Sequence, residues 1–288
     1  MFETLNYKSA AKAMNDMTYT DYYFRLMLLA RSVFEWKNLP NGLDEKWIEK
    51  YLFYEGRCCF FKDKDLGFMV ARTTESNILN EYDEPTELMP VFVNRNLKTI
   101  KSLKNGEECI LIRNNDVMLP THYTIRLFAL RLTGIQRTID VNINAQKTPG
   151  LIKCSDRQKL SLKRTFDQWS ENEPLIFGDR NLDTAGIEAL KIDAPIVFDK
   201  LQHQKHAIWN EAMTFLGINN ANMDKRERLV DDEVQANNEQ IELSAAVMLK
   251  SRQLACDRIN ELFGTKISVE LRKPLSAKFE EIEGVLNE

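Results

Sequence analysis

The spacing of apolar residues changes several times along the chain, and each change predicts a different element. In residues 18–42, Tyr23, Phe24, Met27, Leu28 and Phe34 nearly encircle a helical axis. This predicts a helix capped by Thr18 or Thr20, buried on most sides, and stopped by Pro40 and Gly42. A second helix is expected from Asp44, with Trp47, Ile48, Tyr51 and Leu52 on one stripe and its end near Gly56. Between 57 and about 118 the period shortens: RCCFF, GFMVA, MPVFV and CILIR are short strand-type runs, and Asn105-Gly106 is a two-residue hairpin signal. A small, mostly antiparallel sheet follows from that pattern.

Beyond Pro120, Ile125, Phe128, Leu132, Ile135 and Ile139 fall at alternating intervals of three and four, one apolar stripe on a helix of roughly 40 Å that ends at Pro149 and Gly150. Residues 150–194 have a different character. They read as strand GLIKC, helix LSLKRTFDQWS, and short strands LIF and IEALKI. Pro195 is expected to open the next helix, with Val197, Leu201, Ile208, Ala212 and Phe215 on one side and Gly217 at its end. A further helix carries Ile241, Ala245, Met248, Ala255, Ile259 and Leu262 up to Gly264, and KISVELR alternates as a last strand. The fold class expected is mainly α with small β elements, an α+β chain.

One segment fits neither period. KRERLVDDEVQANNEQIE, residues 225–242, holds three basic and six acidic side chains, no Gly or Pro, and almost nothing to fill a core. Composition narrows its use only a little. A formal charge of -4 on 288 residues excludes a general basic coat for nucleic acid and leaves room for local basic features. Five cysteines without C-x-x-C spacing signal neither a disulfide framework nor a zinc site. The N-terminus has no basic segment followed by an apolar core, and no run approaches a membrane span, so synthesis in the cytoplasm is expected.

Catalytic patterns are sparse. G-x-x-x-x-G-K-[ST], G-x-G-x-x-G and G-x-S-x-G are all absent. His203 and His206 lie one helical turn apart but lack the context that would complete a metal site, and a solvated face is the expectation. Asp231, Asp232 and Glu233 are a carboxylate cluster of the kind used in two-metal phosphodiester chemistry, yet consecutive side chains diverge, and solvated charge is again expected. Cys58 and Cys59 sit in an apolar run and read as core. No enzyme and no cofactor is expected.

Seven stretches, in one order, closely resemble the upper collar proteins of small short-tailed phages that prime their DNA replication with a protein. They are FEWKNLP (34–40), NAQKTP (144–149), LSLKRTFDQW (160–169), DAPIVFDKLQ (193–202), WNEAMTFLGINNAN (209–222), DEVQANNEQIE (232–242) and LKSRQLACDRINELFG (249–264). The resemblance covers about 34–264, is dense from 141 onward and is faint in 63–108. These proteins are head-tail connectors, or portals. Membership would imply a twelve-membered ring at one capsid vertex of the virion, with double-stranded DNA passing through its channel, and capsid protein, a lower collar or tail protein and a packaging ATPase as partners. The resemblance also implies the parts: wing at 1–120, stem helices at 121–149 and 195–219, clip at 150–194, channel loop at 220–240, and wing helix and tail at 241–288. Lys191 and Lys200 match the positions at which the family presents lysine rings to the channel. Lys225, Arg226 and Arg228 would touch phosphates, with Asp231, Asp232 and Glu233 keeping the wall acidic. Some members dock a packaging RNA through a basic N-terminus; residues 1–17 hold only Lys8 and Lys12, so that partner is not carried over. Another ring-forming head-tail adaptor and a metal-dependent nuclease are the competing readings.

Overall fold

The computed structural model describes residues 7–76, 78–92, 102–146, 150–152, 187–189, 195–219 and 231–273. Two compact units divide the chain: Met1–Gly134 with Lys205–Glu288, and Ile135–Gln204. The elements are α1 (Tyr7–Ala30), β1 (Phe34–Lys37), α2 (Glu45–Glu55), β2 (Arg57–Asp63), β3 (Gly67–Glu75), β4 (Glu87–Val91), β5 (Leu103–Lys104), β6 (Cys109–Arg113), α3 (Thr121–Gln146), β7 (Gly150–Ile152), β8 (Ile187–Ala189), α4 (Phe198–Leu216), α5 (Asp231–Phe263) and β9 (Ser268–Leu271). The α+β class is as expected. Among the described residues no helix is long and apolar enough to cross a membrane.

In the first unit, five strands pair antiparallel in the order β5-β4-β3-β2-β6. The end strands β5 and β6 are nonetheless joined by residues 105–108 alone, so the sheet curls on itself. Gly106, at φ +90°, donates its N–H to the Cys109 carbonyl at 2.8 Å, and the Asn105 side chain accepts from the Leu111 N–H at 3.2 Å. Asn105-Gly106 therefore makes a turn but no two-residue hairpin. The reason is tertiary: β6 pairs with β2, Cys109 opposite Phe61, and leaves β5 to β4.

Inside the curl lie Cys59, Phe61, Ala71, Leu88, Cys109 and Leu111, with Met69, Phe92, Leu103 and Met118 against them. Alternate residues face the other way. Phe60 meets Phe68 and Phe263, each ring centre 5.6 Å from its own, and α2 and α5 cover this face. Burial on both faces explains why RCCFF and CILIR read as unbroken apolar runs. Among the described residues the cysteines Cys58, Cys59, Cys109 and Cys256 are buried free thiols. Burial raises the pKa of the Cys256 thiol to about 12, so the core reading of Cys58 and Cys59 has a neighbour in kind.

Two expectations at the N-terminus are corrected. The first helix runs from Tyr7 and not from a Thr18 or Thr20 cap, because both hydroxyls donate back to carbonyls one turn earlier, Met14 and Asp16, at 2.7 Å. It ends at Ala30, and Phe34 belongs to strand β1. That strand pairs with β9, Phe34 opposite Leu271 and Trp36 opposite Val269, a partner more than two hundred residues away.

The second helix is as expected, with Asp44 accepting from the Lys46 N–H as its N-cap and Gly56 as its left-handed C-cap. Around its middle lies a buried, fully hydrogen-bonded polar group. Arg252, 2% exposed, donates Nε and Nη2 to the two carboxylate oxygens of Glu49 at 2.9 and 2.8 Å. Its Nη1 reaches the carbonyls of Asn114 and Met248, and Nη2 also reaches the Asn114 side chain. The guanidinium lies 4.0 Å over the Phe34 ring, and Trp36 Nε1 donates to Glu49 at 2.9 Å. Asn114 in turn donates to Leu119 O and Thr121 Oγ1.

Arg252→Ala should cost about 3–5 kcal/mol in urea denaturation, because it strands a buried carboxylate. Replacing the pair together, Arg252→Met with Glu49→Leu, should recover a large part of that loss; a single variant within about 0.5 kcal/mol of the parent would show the pair to be incidental.

A second test concerns Gly56. At φ +75° its added Cβ would stand 2.0 Å from the Met118 carbonyl oxygen, while its own carbonyl accepts from Asn114 N at 2.8 Å. Gly56→Ala should destabilise by more than the roughly 1–2 kcal/mol of the left-handed backbone alone, read from thermal melts; a neutral result would contradict the close approach.

Candidate nucleic-acid interface

Of the residues expected to line a channel, Lys200 is on α4 and Asp231, Asp232 and Glu233 are on α5; in the first unit the apolar stripes of α3 and α4 meet. Ile125, Phe128 and Leu132 are buried, as are Ile208, Ala212 and Leu216. Phe128 and Phe215 have ring centres 6.2 Å apart, and Arg131 Nη1 pairs with Glu211 Oε2 at 2.9 Å. The α1 helix also reaches α4, where Arg25 lies 5.2 Å over the Trp209 ring. Burial of Tyr23 next to Tyr54 raises the Tyr23 hydroxyl pKa to about 12, so the phenol stays neutral in this packing.

The end of α4 is held against α5. Gly217 has φ +74°, and a Cβ there would stand 2.4 Å from the Ala245 Cβ. Its N–H goes to Thr214 O at 3.0 Å and that of Ile218 to Met213 O at 2.9 Å, which closes the helix. The charged stretch thus departs from a point that touches the helix to which it returns.

That stretch is shorter than the sequence suggested. The backbone is helical from Asp231, so residues 231–240 of the expected 220–240 loop are the first turns of α5. The physical reason is composition: a segment without Gly or Pro and rich in Gln, Glu and Ala extends a helix that its neighbours have already nucleated. Asp231, Asp232 and Glu233 are the first three residues of that helix, about 100° apart around its axis, which spreads them over its circumference. Lys191, Lys225, Arg226 and Arg228 lie outside the described residues, as do the helix and the LIF strand expected within 150–194.

In the second unit β7 and β8 pair antiparallel, Leu151 opposite Glu188. The expected helix start at Pro195 moves to Phe198, because Asn142 of α3 holds the residues before it. Its Nδ2 donates to Pro195 O at 2.9 Å and its Oδ1 accepts from Val197 N at 3.3 Å. Lys200 is the third residue of α4 and is exposed, as are Asp199, His203 and Gln204. His206 further along is exposed too, and among the described residues no His, Cys, Asp or Glu cluster forms a metal-binding group.

Two concavities of the first unit had no signal in the sequence. An open polar cleft of about 800 Å³ is lined by Glu84, Glu87, Lys104, Glu107, Arg258 and Glu261 among others. The Arg113 guanidinium, 2.7 Å from Glu84, holds that carboxyl below its usual range. An apolar groove of about 410 Å³ runs between Val117, Leu119, Thr124, Phe215 and Val247. Both join segments distant in sequence.

Asn142→Ala should loosen the start of α4, seen as faster amide hydrogen exchange at 197–201 with little change in the global melting point. Unchanged exchange there would show that α4 needs no anchor from α3.

A family model described as Phage Connector (GP10) matches residues 4–276. Among solved structures, the chain is similar to a protein of the portal and tail of native bacteriophage P68, with TM-score 0.54, 13% identity, and 98% of this chain and 96% of that one covered. It is similar also to a protein of the virion of a native gene transfer agent particle, with TM-score 0.50, 10% identity, and 96% and 87% covered.

Proposed function

This chain belongs to the phage connector family, and from that membership we propose how it serves as a phage portal: twelve copies ring one capsid vertex around a channel for double-stranded DNA. The family is structural, not enzymatic. The observation that carries the reading is the match over nearly the whole chain, supported by a fold similar to that of a protein from the bacteriophage P68 portal and tail.

In this reading α3 and α4 form the stem, residues 150–194 the clip, residues 220–230 with the start of α5 the channel segment, and the remainder the wing. The ring sits in the virion, joins capsid protein on one side and a lower collar or tail protein on the other, and a separate ATPase drives packaging through it.

The channel chemistry follows from the charges. A bore that neutralised many phosphates at once would gain affinity steeply with each contact and hold its cargo. Sparse cations, Lys191, Lys200, Lys225, Arg226 and Arg228, set among Asp231, Asp232 and Glu233, give light contact instead. Symmetry turns one lysine per chain into a belt.

Electron microscopy of the purified chain should show rings of twelve with a central hole; a solitary particle, or a ring whose centre is filled with apolar side chains, would refute this function. Replacing Lys191 and Lys200 by Ala should change the ionic-strength dependence of DNA passage while stability stays within about 0.5 kcal/mol, as for surface substitutions. Plasmid incubated with the protein and Mg²⁺ should remain uncut, which separates this reading from a nuclease.

A further inference from the structure

Three helices of the first unit carry a second apolar stripe opposite the one that faces the core. On α3 the core stripe is Ile125, Phe128, Ala129 and Leu132, and Tyr123, Leu127 and Leu130 stand on the far side, 51–59% exposed. On α5 the core stripe is Ile241, Ala245, Met248, Ala255 and Ile259, and Leu243, Val247 and Leu254 stand opposite, 47–69% exposed. At about 100° per residue, spacings of three, four and seven keep each outer set on one line. On α1, Met17, Phe24 and Leu28 do the same. Such two-sided helices belong to a chain that buries its outer faces elsewhere.

Charge separates these faces. Between Thr121 and Gly134 the ionic residues flanking the α3 stripe are Arg126 and Arg131, both exposed, and the segment contains no acid; Arg131 is paired with Glu211 of α4, so Arg126 carries the positive charge of this face. On α5 the exposed charges from Glu239 to Glu261 are Glu239, Glu242, Asp257 and Glu261 against Lys250 and Arg258, an acidic excess. Packing α3 on the α3 of a second copy would bring arginines together, and α5 on α5 would oppose acids. Only the mixed pairing is attractive. The α1 stripe offers no such selection, because Asp21 and Arg25 pair with each other at 3.2 Å.

We propose that neighbouring copies of this chain meet head to tail, the outer stripe of α3 on one copy seated against the outer stripe of α5 on the next. Two different patches in contact make a heterologous interface, which propagates in one rotational sense and closes into a ring when the rotation permits. The inference rests on the portal reading, to which it adds the contacting faces.

Chains with Leu127→Cys and chains with Val247→Cys are prepared separately, mixed in equal amounts and treated with a short bifunctional maleimide; the treated parent chain sets the background. Covalent pairs should form in the mixture, and a chain carrying both substitutions should give a ladder of multimers. Neither single variant should pair with itself. A second pair, Leu130→Cys with Leu243→Cys, guards against a substitution that impairs folding. Self-pairing of a single variant, or no mixed pairs from chains that still sediment as an assembly, overturns the proposal. A parent chain that never associates refutes the portal reading itself, which is a distinct result.

Discussion

The first unit is organised around one buried charge. A guanidinium removed from water is tolerated only where nearly every donor finds an acceptor, and Arg252 meets that condition through Glu49, Asn114 and Met248. Each acceptor belongs to a different part of the chain or to a different turn of it. Arg252 and Met248 are on α5, Glu49 is on α2, Asn114 follows β6, and Phe34 and Trp36 of β1 close the group from above and beside. An apolar core of this size tolerates small slips in packing, whereas a bidentate pair with a fixed fork does not. The network thus sets where α5 crosses the curled sheet, and through Asn114 and Thr121 it sets where α3 begins.

From that start the rest follows mechanically. Gly56 lets the backbone of α2 come against the 114–120 segment, and Gly217 lets the end of α4 come against Ala245 of α5. Each is a place where a Cβ would push two segments apart. Between these close approaches, α3 and α4 share an apolar seam reinforced by Arg131 and Glu211. The end of α4 and the body of α5, which flank the charged stretch, are thus held by contacts of their own.

The recognisable motifs gain a physical meaning in this light. FEWKNLP contains Phe34 and Trp36, and LKSRQLACDRINELFG contains Arg252 and Cys256, so two of the stretches that point to the connector family are the two halves of one buried contact. The likeness is thus partly a likeness of core chemistry. The outer stripes of α1, α3 and α5 belong to neither set, which is why they read as ordinary helix faces until the core side of each helix is known.

Helix existence was legible along the chain: the stripes of α2, α3, α4 and α5 are written in intervals of three and four, and the strands β2, β3, β4, β6 and β9 in short apolar runs. Such patterns are local, because a periodic apolar face needs only its own residues to be defined. The family, too, is readable in the order of the sequence motifs. What the sequence could not contain was pairing across distance. That Phe34 leaves a helix to join a strand beyond residue 267, that Asn105-Gly106 turns between strands which do not pair, and that Arg252 and Glu49 neutralise each other are outcomes of packing. The candidate channel residues divide the same way: their charge and order were fixed by the sequence, while the helical start of α5 at Asp231 and the exposed place of Lys200 on α4 were decided by the structure. The physical reason is that burial and partner choice depend on which surfaces meet, and a linear pattern specifies the surfaces but not the meeting.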